Sequence, residues 1–369
     1  MNNNQKIFSI ILIVLVVILI PSCERVYPPS DYEEHDLLVV YENKGNDFYL
    51  IDPYLFTINK EVNLDISEDF FPTSMCVSTN NDYLLFTGRY EDDPKRNYYI
   101  VKYDISADSA AGIFSLGLKE LGYPKICAAH LDDEPGLIYL YSNNGGTYKI
   151  DFLKEKCSVI SFAQNLPKDF YYPPETDWMV RNNYYPNTIY SFSYTELEFF
   201  SIESHLRNCE FILNKHDIDS VVIKDMKYSS KDEKLYVSYL LSQKKAIRGS
   251  AFFGAYDMLT LEFDTSHVVL PWSTNPYYLA YNSGRDECYM IGETNQFYII
   301  GLDSTEYYLK DVIELTDKTT GPSRIAVRSD CNIAFVSCIR DNRVYVVDLE
   351  TKQVYTTISI ETPYQLVLI

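Results

Sequence analysis

The side chains able to do chemistry are scattered along the chain. Its five histidines, His35, His130, His205, His216 and His267, share no spacing. There is no Gly-x-Ser-x-Gly elbow, no His-Glu-x-x-His pair and no glycine loop that would cradle a phosphate. His216-Asp217-x-Asp219 is the densest set of potential acid-base or metal-binding groups, and an Asx-type turn accounts for it as well. Lys168 to Glu175 concentrates Phe170, Tyr171 and Tyr172, and Phe70-Phe71 occupy the corresponding place earlier in the chain. Exposed aromatics there would form a stacking platform for a sugar, a peptide or a partner protein, because such rings supply large rigid area. In a chain with 34 Tyr and 19 Phe, the same rings could equally fill gaps between packed sheets. Gln243 to Gly254 reads as a long insertion carrying Lys244, Lys245 and Arg248, a basic cluster for an anionic ligand or a solvated loop tip.

The eight cysteines fit no zinc-ligand spacing, and neither a metal nor a cofactor is expected. Cys76 and Cys127 fall in apolar strands, where a thiol packs as a small hydrophobe, while Cys157 and Cys209 hold matching places that would allow a bridge. The net charge of -20 argues against nucleic acid as a partner, since phosphate binding needs clustered Lys and Arg.

The elements that must position these residues are strands: short runs of Tyr, Val, Ile and Phe separated by Asn, Asp, Gly and Ser. A fixed repeat runs through them. Second-strand starts near Leu37, Tyr83, Leu137, Thr188, Lys234, Glu287 and Asn332 are spaced by about 45 to 54 residues, and acidic residues at Asp52, Asp104, Asp151, Glu203, Asp264, Asp303 and Asp348 mark the ends of the strands that follow. Pro72, Pro124, Pro276, Pro322 and Pro363 each open an apolar strand. In the last unit, Pro322, Ile325-Ala326-Val327, Ser329-Asp330, Ile333 to Val336, Asp341-Asn342 and Val344 to Asp348 resemble the YVTN-type β-propeller repeat, with Cys331 where glycine is usual.

That resemblance implies an all-β chain: a seven-bladed β-propeller of four-stranded blades over residues 37–369, its ring closed by the C-terminal strand Pro363 to Ile369 joining the first blade. An open pair of sandwiches, or six or eight blades, are the competing arrangements. The connections between first and second strands (Thr79 to Asp82, Ser229 to Glu233, Asn282 to Asp286, Ser329-Asp330) read as bare hairpins. The opposite face, with longer and more varied loops, is where binding is expected.

Residues 1–22 read as a signal peptide: Lys6 precedes an apolar run from Ile7 to Ile20, shorter than the roughly 18 to 20 residues that span a bilayer. Ile20-Pro21-Ser22-Cys23 resembles the lipobox of bacterial lipoproteins, which implies acylation of Cys23 and attachment to a membrane. Residues 23–36 then form a flexible tether whose acidic Glu24 to Glu34 resembles the post-cysteine segments of surface-exposed lipoproteins, so an outer-membrane or cell-surface site is expected. The functional expectation is an envelope binding or scaffold module for a protein or glycan. The alternative is a lactonase-like hydrolase or lyase working at the mouth of the central channel, as in enzymes with this repeat, although none of their catalytic residues matches a position here.

Overall fold

The computed structural model describes residues 37–42, 47–64, 70–77, 83–90, 98–116, 126–131, 137–142, 146–151, 156–162, 167–171, 179–183, 189–192, 197–200, 218–229, 231–243, 250–257, 260, 262–271, 276–292, 294–303, 306–316, 322–328, 330 and 332–369. The side chains it describes lie between Leu37 and Ala110 and between Asp225 and Ile369.

The described strands form seven four-stranded antiparallel sheets. Sheet one contains β1 (Leu38–Glu42), β2 (Asp47–Asp52) and β3 (Thr57–Asn63). Sheet two is β4 (Phe70–Val77), β5 (Tyr83–Tyr90), β6 (Tyr98–Asp104) and β7 (Ser109–Leu116). Sheet three is β8 (Ile126–Leu131), β9 (Leu137–Ser142), β10 (Gly146–Asp151) and β11 (Lys156–Phe162), and sheet four is β12 (Pro167–Tyr171), β13 (Met179–Asn183), β14 (Ile189–Phe192) and β15 (Leu197–Phe200). Sheet five is β16 (Ile218–Ser229), β17 (Lys234–Gln243), β18 (Ser250–Asp257) and β19 (Glu262–Val269). Sheet six is β20 (Pro276–Asn282), β21 (Glu287–Gly292), β22 (Gln296–Leu302) and β23 (Tyr307–Glu314). Sheet seven is β24 (Pro322–Arg328), β25 (Ile333–Cys338), β26 (Arg343–Asp348) and β27 (Gln353–Ser359). The last strand, β28 (Pro363–Leu368), adds to sheet one as its first strand, pairing with β1 so that Leu38 faces Leu368 and Val40 faces Leu366.

Proline has a positional meaning in these sheets, because it cannot donate to the strand ladder and is tolerated at a strand's first residue or beside a bulge. Strands β12, β20, β24 and β28 begin with proline, and Pro72 sits just before the bulge of β4. In every sheet the first strand carries an extra residue near its start: Tyr364, Ser323 and Tyr277 are the bulged residues of β28, β24 and β20.

The acidic marks have a local cause too. A carboxylate at the end of a third strand caps the turn into the fourth: Asp52 Oδ1 accepts from the Tyr54 and Leu55 amides at 2.8 Å, and Asp348 Oδ1 from Glu350 at 2.8 Å and Thr351 at 2.9 Å. Asp104 does the same for Ala107. In sheet five this residue is Asp257, which accepts from Thr260 at 2.9 Å, and the expected mark Asp264 lies inside the fourth strand β19. In sheet four, the strand expected near Thr188 is β14, the third strand rather than the second, and Glu203 lies outside the described residues.

Where their side chains are described, second strands are largely buried, as in β1, β21 and β25, where every residue is covered. Alternate side chains point to opposite faces, so one strand serves two cores. Val39 and Tyr41 join the core between sheets one and two, with Phe48, Phe86 and Tyr103. Leu38 and Val40 turn the other way, into a core shared with Ile333, Phe335, Val344 and Val346 of sheet seven. Tyr289 and Ile291 face sheet seven while Cys288 and Met290 face sheet five.

Phe335 is fully buried in the core joining the first sheet to the last. Phe335→Ala is expected to cost about 3–5 kcal/mol, whereas Leu55→Ala, at a position 63% exposed, should change stability by no more than about 0.5 kcal/mol. Urea unfolding of both variants measures the difference.

Candidate functional site

Two polar constellations sit at opposite ends of the strands. The first lies among the turns that join first to second strands and third to fourth strands. The β16–β17 and β20–β21 turns close with Glu233 at φ 52° and Asp286 at φ 50°, in the left-handed region. That conformation turns the Asp286 carbonyl outward to accept the Leu302 amide at 2.9 Å. Side by side, the two turns bound a cleft of about 340 Å³ lined by Lys231, Asp232, Lys234, Tyr236, Asp286 and Tyr307.

Within this cleft nearly every charge has a fixed partner. Three hydroxyls converge on Asp232 Oδ2: Ser229 at 2.9 Å, Tyr236 at 2.9 Å and Tyr281 at 3.1 Å. Lys234 Nζ donates to Asp264 Oδ2 and to the Tyr307 hydroxyl, both at 2.9 Å, and Tyr307 donates to the same carboxylate oxygen at 2.8 Å. Lys231 is paired with Asp286 across the gap between sheets five and six. Burial pushes the Asp264 carboxyl up, but hydrogen bonds from Lys234 and Tyr307 outweigh it and hold the group below the usual carboxylate range. Burial first pushes the Tyr236 and Tyr307 hydroxyls well above theirs, with Cys288 and then Asp232 adding at Tyr236 and the hydrogen bond to Asp264 adding at Tyr307. These tyrosines therefore stay neutral donors at physiological pH. The arrangement suits hydrogen bonding to a polar guest, with no activated nucleophile among its tyrosines.

Similar polar bridges occur on the same side between the next sheets. Arg285 donates to Glu287 at 2.8 Å and to Asn332 of sheet seven at 3.0 Å. Glu287 is 2% exposed and also takes Lys310 and the Tyr289 hydroxyl. The Arg328 guanidinium lies 3.5 Å over the Tyr54 ring and pairs with Asp330, which also accepts from the Tyr54 hydroxyl at 3.2 Å. These contacts tie sheet six to seven, and seven to one.

The second constellation lies at the opposite end, where fourth strands lead into first strands. Arg324, the third residue of β24, has its guanidinium 3.8 Å over the Tyr278 ring of β20 and 5.4 Å from the Tyr364 ring of β28. Its Nη1 donates to the Ser323 carbonyl at 2.9 Å, and it forms no ion pair among the described residues.

The expected site residues are distributed differently. Phe70 is no exposed platform: it is 1% exposed, opens β4 and packs edge-on against Tyr90 with ring centroids 5.5 Å apart. An aromatic run at a strand start is drawn into the core between sheets. Phe71 follows it in β4, and Phe170 and Tyr171 belong to strand β12 rather than to a loop; the side chains of all three, and the whole of Tyr172, lie outside the described residues. The expected Gln243–Gly254 insertion shortens to residues 244–249, because Ala251 and Phe253 are buried in β18. Lys244, Lys245 and Arg248, like Cys23, His216, Asp217 and Cys209, lie outside the described residues. Cys288 and Cys338 are buried and form no disulfide among the described residues. Among the described residues no helix is long and apolar enough to cross a membrane, and no group of three metal-ligating side chains occurs.

Sequence reasoning passed over the cleft because its turns looked like plain hairpins. Lys234 and Tyr236, two apart in β17 and so on one face, were the available signal. For Arg324 the available signal was a cation two residues after the proline that opens β24.

No family model matches the chain, and no curated protein does. Solved structures do. Dihydro-heme d1 dehydrogenase NirN in complex with DHE superposes with a TM-score of 0.59 at 9% identity, over 92% of this chain and 76% of that one. Hydrazine synthase of Kuenenia stuttgartiensis gives 0.60 at 12% identity, over 85% and 92%. The β-propeller domain of Cps50 (Swd1) from Myceliophteria thermophila gives 0.58 at 10% identity, over 78% and 86%. The fold is a β-propeller. At these identities the likeness extends to architecture alone, and in that architecture the cleft lies between two neighbouring sheets of the propeller, with Arg324 at the opposite ends of the strands.

Glu287 supplies a pH test of the polar bridges. Burial raises its carboxyl, but hydrogen bonds from Lys310, Tyr289 and Arg285 lower it further, so the folded-state pKa lies below the ordinary value. A depressed carboxylate contributes stability above its unfolded pKa of about 4.3 and loses that contribution as pH falls through the lower folded value. Glu287→Gln is expected to cost about 1–3 kcal/mol at neutral pH. The gap to the parent protein should narrow as pH drops below the carboxylate range, measured by urea unfolding across pH.

Proposed function

We propose that this chain is a lipid-anchored protein of the bacterial cell envelope, held through Cys23, whose propeller is a binding or scaffold module for a protein or glycan. The observation that carries the reading is the order of parts: an apolar leader ending in Ile20-Pro21-Ser22-Cys23, an acidic proline-bearing tether, then an all-β domain of packed sheets. Such a domain stands off the membrane as a rigid platform, its variable loops presented on a fixed scaffold.

The finer architecture belongs to the same reading. The domain is a seven-bladed ring of YVTN type, with β28 as the strand that closes it. In support, β28 pairs with β1, contacts both β24 and β4, and a buried core joins sheet one to sheet seven. The long-loop face is the binding face, with Phe170, Tyr171 and Tyr172 and the basic segment Lys244, Lys245 and Arg248 as its contact residues.

Cys23→Ala is expected to move the protein from the membrane fraction to the soluble fraction and to abolish incorporation of an alkyne-labelled fatty acid; retention in the membrane with no label in the parent protein would sink the anchor. For the face, a pulldown from detergent-solubilised membranes should recover a protein or glycan that is lost when Phe170, Tyr171 and Tyr172 are all alanine. The same partner captured equally by both forms would exclude that surface.

A further inference from the structure

We propose that Arg324, between Tyr278 and Tyr364, is a receptor for a single carboxylate on the ligand bound at the long-loop face. The proposal rests on the reading of that face as the ligand face and names the chemistry the ligand must carry there. Arg324 is the third residue of β24, just past the bulge at Ser323. The bulge re-aims the side chain, and the guanidinium reaches rings from the first strands of both neighbouring sheets. A side chain lying flat between two sheets would meet only one neighbour. Contact with β20 and β28 together puts the cation at the inner edge of β24, where the central channel of the ring opens among the fourth-to-first connections.

A guanidinium has five N–H donors. Ser323 takes one, on Nη1, and the edge formed by Nε and Nη2 has no acceptor among the described residues. That edge matches the two oxygens of a carboxylate in a side-on pair. The tyrosine rings hold the plane of the fork by cation–π contact, so little side-chain entropy is lost on binding.

Elsewhere among the described side chains arginine is differently placed: Arg285 and Arg328 are both committed to carboxylates, and Arg340 and Arg343 stand exposed. Charge balance chooses the class of anion. One guanidinium neutralises a carboxylate of charge -1, whereas a phosphate group carries about -1.5 to -2 and would stay uncompensated in a chain of net charge -20. The carboxylate belongs either to a free acid or to an acidic residue within a larger ligand, and a uronate is the probe for it.

Isothermal titration with glucuronate, glucose, inorganic phosphate and an oligogalacturonate tests this. The parent protein is expected to bind glucuronate saturably, at least tenfold tighter than glucose or phosphate, and Arg324→Met to lose at least tenfold. Arg324→Lys, which keeps the charge without the fork, should recover only part. Oligogalacturonate binding tighter than glucuronate assigns the carboxylate to a glycan, and equal or weaker binding to a free acid. A purely structural Arg324 predicts lowered thermal stability in both variants with no preference for glucuronate in the parent protein. That outcome, or unchanged glucuronate affinity in Arg324→Met, overturns the proposal. If the carboxylates fail while the membrane pulldown still depends on Phe170, Tyr171 and Tyr172, this inference falls alone; if both fail, the reading of the face falls with it.

Discussion

Strands β1, β21 and β25 are covered on both faces, and the rest of the arrangement depends on that double burial. A strand apolar on one side needs a single partner layer, and a sandwich provides it. A strand apolar on both sides needs a sheet to its left and another to its right, and no stack of finite length supplies this to its end members. Sheet one, first in the chain, and sheet seven, last among those completed in order, would be the exposed ends. They are instead packed against each other through Leu38, Val40, Phe335 and Val346.

Polar contacts follow the same geometry. Between sheets five and six, six and seven, and seven and one, a charged residue from a first-to-second turn reaches across to the next sheet: Lys231 to Asp286, Arg285 to Asn332, and Asp330 to Tyr54. Their components are partly hydrated, so each adds modestly to stability. Their greater effect is on register, because a hydrogen-bonded pair at a fixed height stops one sheet sliding past another. The cleft between sheets five and six is the gap left where two such turns stand side by side.

Much of this architecture was legible in the sequence because the repeat is enforced by local rules. Second strands read as apolar runs, which placed β5 at Tyr83, β9 at Leu137, β17 at Lys234 and β21 at Glu287, and in β21 every residue is covered. Aspartates at third-strand ends were visible because the turn needs a carboxylate there. That ruler slipped at Asp264, whose charge serves Lys234 rather than a turn, while Asp257 caps the turn in its place. Functional side chains were less legible. Phe70 was expected at a surface and lies in a core, since an aromatic pair at a strand boundary carries no record of which way it points. Arg324 gave no periodic signal at all, and only the meeting of three strands distant in sequence brings two tyrosines to it.

The closed ring is tested most directly by native-state hydrogen exchange on the amides of β28. If the ring is closed, the amides of β28 that bond to β1 exchange as slowly as those of β25 and β26, by the same global opening. If they exchange orders of magnitude faster than β25 while the other strands stay protected, β28 is a frayed terminus and the ring is open.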